Sequence, residues 1–219
     1  MNPDSDKINN STTNNLLLIF VKNPVRGRVK TRLAATVGEE RALEVYRQLL
    51  ARTRTVTEGL ARGKAVFYAD FIPESDAWDE AVYQKHLQEG SDLGERMERA
   101  FNWAFSAGYS SVCIIGSDCH QLTSDIVEAA FRTLQARDVV LGPSTDGGYY
   151  LLGMNRLHPA FFRSKRWSTD TVLADTVRDA EALGLRVKLL PTLTDVDEEK
   201  DLGTLSEEKG LAGKGAARP

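Results

Sequence analysis

The chain has 219 residues, of which 42% are hydrophobic and 27% are charged, and its formal net charge is −3. This composition is typical of a globular protein with one sizeable core, and the nearly balanced charge gives no overall indication of binding to nucleic acid or to a membrane. No apolar run reaches the roughly 20 residues of a membrane span, and the polar N-terminus lacks the pattern of a signal peptide. We therefore expect a cytoplasmic protein without a nucleic-acid or membrane partner.

Segments typical of strands and of helices alternate along the chain. Short β-branched, apolar runs predict strands at 16–21, 64–69, 112–115, 138–141, 147–154 and 186–190. Apolar residues at helical spacing predict helices at about 38–59, 93–108, 123–134 and 168–184, followed by a short helix from Asp197. Thr123 or Ser124 and Ser168 are the candidate N-caps. The alternation predicts an α/β fold with three layers, α/β/α, and a mostly parallel sheet.

The composition also changes at both ends of the chain. Residues 1–15 are rich in Asn, Ser, Thr and Asp without an apolar pattern, and residues 203–219 are rich in Gly, Ala and Lys. Such segments bury too little apolar surface to fold. We expect a disordered tail, a single domain over residues 16–202 and a flexible C-terminal tail. Residues 72–88 give no clear pattern and remain unassigned.

Acidic residues follow predicted strands at three places. Asp118 comes directly after the apolar run 112–115, and Asp197 follows the last predicted strand. The carboxyl ends of parallel strands meet at one edge of a sheet, where ligands bind in open α/β folds. Mg²⁺ in phosphate sites takes one or two protein carboxylates, with phosphate and water as its other ligands. These two acids therefore predict a metal site, and a simple turn or helix cap is the alternative for each.

A basic loop follows the first predicted strand. Residues 22–32 contain five positive charges, and Pro24 and Gly27 indicate a loop. Cations and backbone N–H groups in such a loop can neutralise phosphate oxygens. The segment lacks the spacing of a P-loop, and a solvated run of charge is the alternative. The predicted nucleotide-binding residues here, with Lys30 and Arg32 the first choices, are Lys22, Arg26, Gly27, Lys30 and Arg32.

A third acid lies in a glycine-rich turn. Asp146 is followed by Gly147 and Gly148, whose backbone can approach a nucleotide closely. Asp146 can bind an acceptor hydroxyl or act as a general base, and a plain turn before a strand is the alternative. Trp167 either lines an acceptor pocket or packs in the core. The three histidines show no metal-ligand spacing, although His120 is close to Asp118 in sequence.

Five segments stand out in order along the chain, namely FVKNPVRGRVKTRL at 20–33, DLGERM at 92–97, GSDC at 116–119, GPSTDGGYY at 142–150 and DVD at 195–197. Together they resemble a bacterial family of glycosyltransferase-like proteins, which is similar to the 2-phospholactate and molybdenum-cofactor guanylyltransferases. The resemblance extends over nearly all of residues 16–202. It implies the GT-A fold, also called the nucleotide-diphospho-sugar transferase fold.

The resemblance also implies roles for individual residues. It makes Lys22, Lys30 and Arg32 phosphate contacts, Asp118 the metal-binding acid and Asp197 a second metal ligand. This sequence departs from the family pattern at two places. His120 stands where the family usually has Pro, and Glu198-Glu199 stands where the family usually has Thr-Pro. Both departures leave the acids in place and affect the expected loop geometry and acceptor fit.

These observations predict a metal-dependent transferase that uses a nucleotide. The expected donor is a nucleoside triphosphate or a nucleotide-diphospho-sugar, bound with Mg²⁺ or Mn²⁺, and the expected reaction is nucleotidyl or glycosyl transfer to a small-molecule acceptor. Asp118, Lys30 and Asp146 are the predicted catalytic residues. The alternative is a catalytically weak nucleotide-binding or scaffold protein. The sequence leaves the base, the acceptor and the oligomeric state open.

Overall fold

The computed structural model describes residues 14–203, and its centre is one seven-stranded sheet. The strands lie in the order β3-β2-β1-β4-β6-β5-β7. Strand β6 runs antiparallel to both of its neighbours, and every other strand pair is parallel. The predicted α/β class with a mostly parallel sheet is therefore confirmed. The strands are β1 Asn15–Val21, β2 Gly63–Tyr68, β3 Gln84–Leu87, β4 Ser111–Ile115, β5 Val139–Pro143, β6 Tyr149–Met154 and β7 Val187–Leu189.

Helices cover both faces of the sheet. They are α1 Thr31–Val37, α2 Glu39–Glu58, α3 Leu93–Ser106, α4 Ser124–Leu134 and α5 Val172–Ala182, with short 3₁₀ helices at Pro159–Phe161 and Glu199–Leu202. Side chains alternate along a strand, so β1 contributes to two cores. Leu17 and Ile19 pack with α2 and α4, whereas Leu16 and Leu18 pack with α3 and α5. The two cores produce the predicted three layers. None of the helices within residues 14–203 is long and apolar enough to cross a membrane.

The structure corrects several predicted element boundaries. Strand β3 lies in the unassigned stretch, where its mostly polar sequence at the sheet edge shows no apolar alternation. The basic segment is not entirely loop, because α1 begins at Thr31. Ser168 does not cap α5: it has a left-handed backbone, and the N-cap position is Thr171. The final 3₁₀ helix is capped by Glu198 and not by Asp197.

The predicted tails lie almost entirely outside the described residues. Asn15, which we had assigned to the N-terminal tail, is the first residue of β1. Asn14 also belongs to the folded part, since its side chain donates to the carbonyl of Gly108 at 2.9 Å. Residues 1–13 and 204–219 are not described, so the expected disorder of both tails stays a prediction.

Candidate functional site

A pocket of about 520 Å³ lies at the edge of the sheet where the parallel strands end. The residues that follow β1 and β4 line it, and so does the start of β6, because this strand runs in the opposite direction. The topology thus brings the predicted strand-end residues together although they are far apart in sequence. Seven of the predicted site residues line the pocket: Lys22, Lys30, Arg32, Asp118, Asp146, Gly148 and Asp197.

The two predicted metal ligands share one buried cation. The Lys30 ammonium lies 3.1 Å from Asp118 and 2.9 Å from Asp197. The Lys30 side chain is only 4% exposed, whereas the two aspartate side chains are 43% and 39% exposed. Burial alone would lower the pKa of Lys30, but the two carboxylates outweigh it and raise the pKa above its usual value. Lys30 is therefore a permanent positive charge between two carboxylates that solvent can reach.

The basic loop divides into two groups. Lys22 and Arg32 line the pocket, and the described part of the chain contains no ion-pair partner for either side chain. Arg26 points elsewhere, since it pairs with Glu39 at 3.0 Å and with Glu40 at 2.8 Å. Gly27 has a left-handed backbone, as a tight turn requires, and does not line the pocket. The phosphate role predicted for Arg26 and Gly27 finds no geometric support in this structure and stays a prediction.

Tyr46 on α2 connects the ends of β1 and β4, a role that its apolar helical spacing did not indicate. Its hydroxyl accepts from the Lys22 backbone N–H at 2.8 Å and lies 3.1 Å from both the Lys22 carbonyl and the Ser117 hydroxyl. This one buried hydroxyl fixes the backbone beside a candidate phosphate ligand and the residue before Asp118.

We expect Tyr46→Phe to destabilise the fold by about 1–3 kcal/mol, because it leaves the Lys22 N–H without its acceptor. Urea denaturation measures this change in the free energy of unfolding. Tyr109→Phe is the matched control, since that hydroxyl accepts one bond at an exposed position and its loss should cost no more than about 0.5 kcal/mol. Equal costs for the two variants would contradict the role given to Tyr46.

The Asp146 turn is joined to a fourth acid, Asp195, which we did not predict as a site residue. The Ser144 hydroxyl lies 2.8 Å from Asp146 and 2.7 Å from Asp195. One oxygen of Asp146 also accepts from the Gly148 N–H at 2.9 Å, so this carboxylate is fixed by its own turn. Gly147 does not line the pocket; its left-handed backbone lets it pack against the backbone of Asp170.

Asp195 is ionised less readily than an ordinary aspartate. Burial is the main cause, and the carboxylates of Asp118, Asp146 and Asp197 add to it, so that its pKa is raised to about 6 although Ser144 opposes the change. A carboxyl whose pKa is raised by folding contributes stability below its unfolded pKa near 4, and this contribution is lost as the pH rises through about 6.

We therefore expect Asp195→Asn to stabilise the metal-free protein at pH 7.5 by about 2 kcal/mol, an effect that fades as the pH falls towards 4. The asparagine oxygen can still accept from Ser144. Thermal unfolding in a chelating buffer at the two pH values measures the difference. A variant no more stable than the parent at pH 7.5 would contradict the account of Asp195.

Residues 167–170 also line the pocket, and this segment is held at two close contacts. A Cβ atom at Gly94, in the first turn of α3, would come within 2.4 Å of the Trp167 indole. A Cβ atom at Gly147 would come within 2.1 Å of the Asp170 carbonyl. Both glycines are thus needed for close approach. Trp167 lines the pocket, together with Ser168, Thr169 and Asp170, which we had not predicted as site residues.

The donor atoms present fit a hard divalent cation. Asp118 and Asp197 provide two accessible carboxylates on one positive charge, which is the ligand set that Mg²⁺ or Mn²⁺ uses when phosphate and water complete the coordination. Within residues 14–203, no group of three or more His, Cys, Asp or Glu side chains is arranged to hold a metal by itself. A metal here would therefore depend on the phosphates of a ligand.

His120, one of the two departures from the family pattern, does not line the pocket. The backbone around it is fixed from α2, since Arg52 lies 3.4 Å from the carbonyls of both His120 and Leu122. The backbone carbonyl of Asp118 accepts from the Val196 N–H at 3.0 Å, which holds the two acid-bearing loops together. The histidine thus leaves the arrangement of the acids intact.

A family of bacterial proteins described as "Uncharacterized protein conserved in bacteria (DUF2064)" matches residues 52–169 of the chain. This chain belongs to DUF2064. The matched DUF2064 segment includes Asp118 and the Asp146 turn but not the basic loop or Asp197. A search of the curated proteins finds no match to the chain. The predicted relation to the 2-phospholactate and molybdenum-cofactor guanylyltransferases stays a prediction.

Solved structures extend the similarity of this DUF2064 protein to about nine-tenths of the chain. A protein from Desulfovibrio desulfuricans G20, provisionally assigned as a nucleotide-diphospho-sugar transferase, is 32% identical with a TM-score of 0.84, over 92% of this chain and 90% of that chain. CMP:2-keto-3-deoxy-manno-octonic acid synthetase, solved with CTP, is 9% identical with a TM-score of 0.54, over 90% and 99% of the two chains. The inositol-1-phosphate CTP transferase from T. maritima is 14% identical with a TM-score of 0.51, over 93% and 98%. The fold is thus that of the nucleotide-diphospho-sugar transferases, and two of these three proteins are named as transferases.

Proposed function

We propose that this DUF2064 protein is a metal-dependent, nucleotide-utilising transferase that acts on a small acceptor in the cytoplasm. The observation that carries the proposal is the buried Lys30 ammonium between Asp118 and Asp197, inside a pocket that also exposes Lys22 and Arg32. The two accessible carboxylates can bind a metal ion, and Lys22 and Arg32, which have no ion-pair partner within residues 14–203, can bind phosphate. The pocket therefore suits a metal–phosphate complex better than a metal ion or a phosphate alone. The nucleotide named with one similar structure, CTP, and the nucleotide-diphospho-sugars named with another, both contain such a phosphate chain.

Different residues of the pocket would bind the metal, bind the phosphates and accept the proton of the acceptor. Asp118 and Asp197 would hold Mg²⁺ or Mn²⁺, which supplies charge neutralisation for a diphosphate leaving group. The exposed Lys22 and Arg32 and the buried Lys30 all line the pocket and would neutralise the phosphate oxygens. Asp146, whose second carboxylate oxygen has no partner among the described residues, takes the proton of the acceptor hydroxyl.

The released product distinguishes the two forms of transfer. Nucleotidyl transfer from a nucleoside triphosphate releases pyrophosphate, whereas glycosyl transfer from a nucleotide-diphospho-sugar releases a nucleoside diphosphate. The test is to incubate the purified protein with each donor, Mg²⁺ and a panel of acceptors, and to measure both products. We expect one of the two to form only when metal is present. Product formation that chelator leaves unchanged would contradict the proposal, as would no product from any donor.

A further inference from the structure

Charge is separated along the length of the pocket. Of residues 14–203, three basic ones line it, and all three, Lys22, Lys30 and Arg32, belong to the segment that follows β1. Asp146 lies in the turn between β5 and β6, beyond β4 in the sheet. Neighbouring strands are about 4.8 Å apart, so this turn lies roughly 10–14 Å from the end of β1. The phosphate end and the far end of the pocket are thus distinct regions.

Three more acids line the pocket: Asp146 and Asp170 at its far end, and Asp195, which is close to Asp146 and also to Asp118 and Asp197. Asp146, Asp170 and Asp195 all line the pocket, and within the described ranges none of them forms an ion pair. The basic residues nearby do not neutralise them. Lys165 pairs with Asp179 and Arg163 pairs with Glu98, both outside this pocket, and the exposed Arg166 does not line it.

The same end offers apolar surface and hydroxyl groups. Trp167 and Leu93 line the wall beside the acids, and Leu93 is 42% exposed. Ser168 and Thr169 add two hydroxyls, which can donate or accept. Ionised carboxylates only accept hydrogen bonds, so they select ligand donors. An apolar wall with several acceptors, at which residues 14–203 place no cation, suits a ring or chain that carries hydroxyl groups and no negative charge.

We propose that Asp146, Asp170 and Asp195 determine acceptor specificity, and that the acceptor is an uncharged polyhydroxyl compound of the sugar or polyol class rather than a phosphorylated one. This inference rests on the proposed function. In the reaction, the O–H bond of the acceptor breaks and its proton passes to Asp146. The acceptor oxygen forms the new bond to the transferred group, and the diphosphate leaves with the electron pair of the bond that breaks. A phosphate on the acceptor would meet three carboxylates that form no ion pair with any described residue, while Lys30 and the proposed metal are held by Asp118, Asp197 and the donor phosphates. This juxtaposition of like charges disfavours binding.

The test compares matched acceptor pairs that differ by one phosphate. Glucose, myo-inositol and glycerol are titrated against the protein with Mg²⁺ and inorganic pyrophosphate, alongside glucose 6-phosphate, inositol 1-phosphate and glycerol 3-phosphate, and affinities are read by ligand-observed NMR. We expect the neutral member of at least one pair to bind about tenfold or more tighter than its phosphorylated partner. Equal or tighter binding of the phosphorylated members would overturn the proposal, and so would no binding of any neutral member.

Asp170→Asn and Asp170→Lys test whether the acids cause the preference. Both variants should raise the affinity for the phosphorylated member, the lysine more strongly. Asp125→Asn, at an exposed position of α4 that does not line the pocket, should leave the ratio unchanged. An unchanged ratio in both Asp170 variants contradicts the assignment. Pyrophosphate binding with Mg²⁺ is measured first in each protein, and its absence in the parent would mean failure of the proposed function and not of the acceptor preference.

Discussion

Lys30→Met is expected to weaken binding of a metal–triphosphate complex about ten- to hundredfold and, in the absence of nucleotide, to tighten binding of Mn²⁺. The first effect follows from the loss of a charged hydrogen bond to phosphate, worth about 1.5–3 kcal/mol. The second follows because the Lys30 ammonium lies 3.1 and 2.9 Å from the two carboxylates that are the proposed metal ligands. In the parent protein, the Lys30 ammonium partly neutralises both carboxylates, and this weakens their attraction for free Mn²⁺.

The two opposite effects make this variant informative. Calorimetry measures the triphosphate affinity, and the electron paramagnetic resonance signal of free Mn²⁺ measures metal binding alone. Arg28→Met is the matched control, because Arg28 lies in the same segment but pairs with Asp70 at 3.2 Å and does not line the pocket. If Lys30→Met and Arg28→Met behave alike in both measurements, Lys30 is not a ligand of the site.

Asp118→Asn should abolish metal-dependent nucleotide binding. The substitution removes one of the two proposed anionic ligands. Loss of a residue that only hydrogen-bonds to a metal ligand lowers metal affinity about 10- to 100-fold, so we expect Mn²⁺ to bind at least about 100-fold more weakly. The fold should persist, since the Asp118 side chain is 43% exposed and its structural bond to Val196 comes from the backbone. Asp197→Asn should act in the same way.

Calorimetric titration with Mn²⁺ in the presence of pyrophosphate measures the loss. Asp125→Asn, which neutralises an exposed acid that does not line the pocket, controls for the change in net charge. Affinity of Asp118→Asn for Mn²⁺ within threefold of the parent would rule out the metal role of Asp118. A normal unfolding transition by circular dichroism confirms that any loss arises at the site and not from the fold.

The position of the site could be predicted because each apolar run that forms a strand ends at a recognisable residue in the sequence. The apolar run 112–115 followed by Asp118, and the last predicted strand followed by Asp197, locate two acids at one sheet edge without any knowledge of their contacts. The direct contact of Lys30 with both acids was not predictable. It depends on the left-handed backbone of Lys30 at the start of α1, and a sequence pattern does not report such a conformation.

Other site residues were missed because they resemble core residues or turn residues. Tyr46 occupies an apolar helical position, and its ring is buried as that pattern predicts, but its hydroxyl extends to the ends of β1 and β4. Asp195 lies two residues from Asp197 and became distinct only through its burial beside Ser144. Strand β3 was missed because its residues are mostly polar. It lies at the edge of the sheet and none of its side chains is fully buried, so its sequence does not need the alternation of apolar and polar residues that marks a strand.

The central claim, that the pocket holds a metal ion and a nucleotide phosphate chain together, is tested most directly by calorimetric titration. The purified protein is titrated with the common nucleoside triphosphates and nucleotide-diphospho-sugars, each with Mn²⁺ and with chelator. The account predicts that at least one of these ligands binds with Mn²⁺ and loses most of its affinity in chelator, because Asp118 and Asp197 bind phosphate only through the cation. Binding that is the same with and without metal, or no binding of any of these nucleotides, would contradict it.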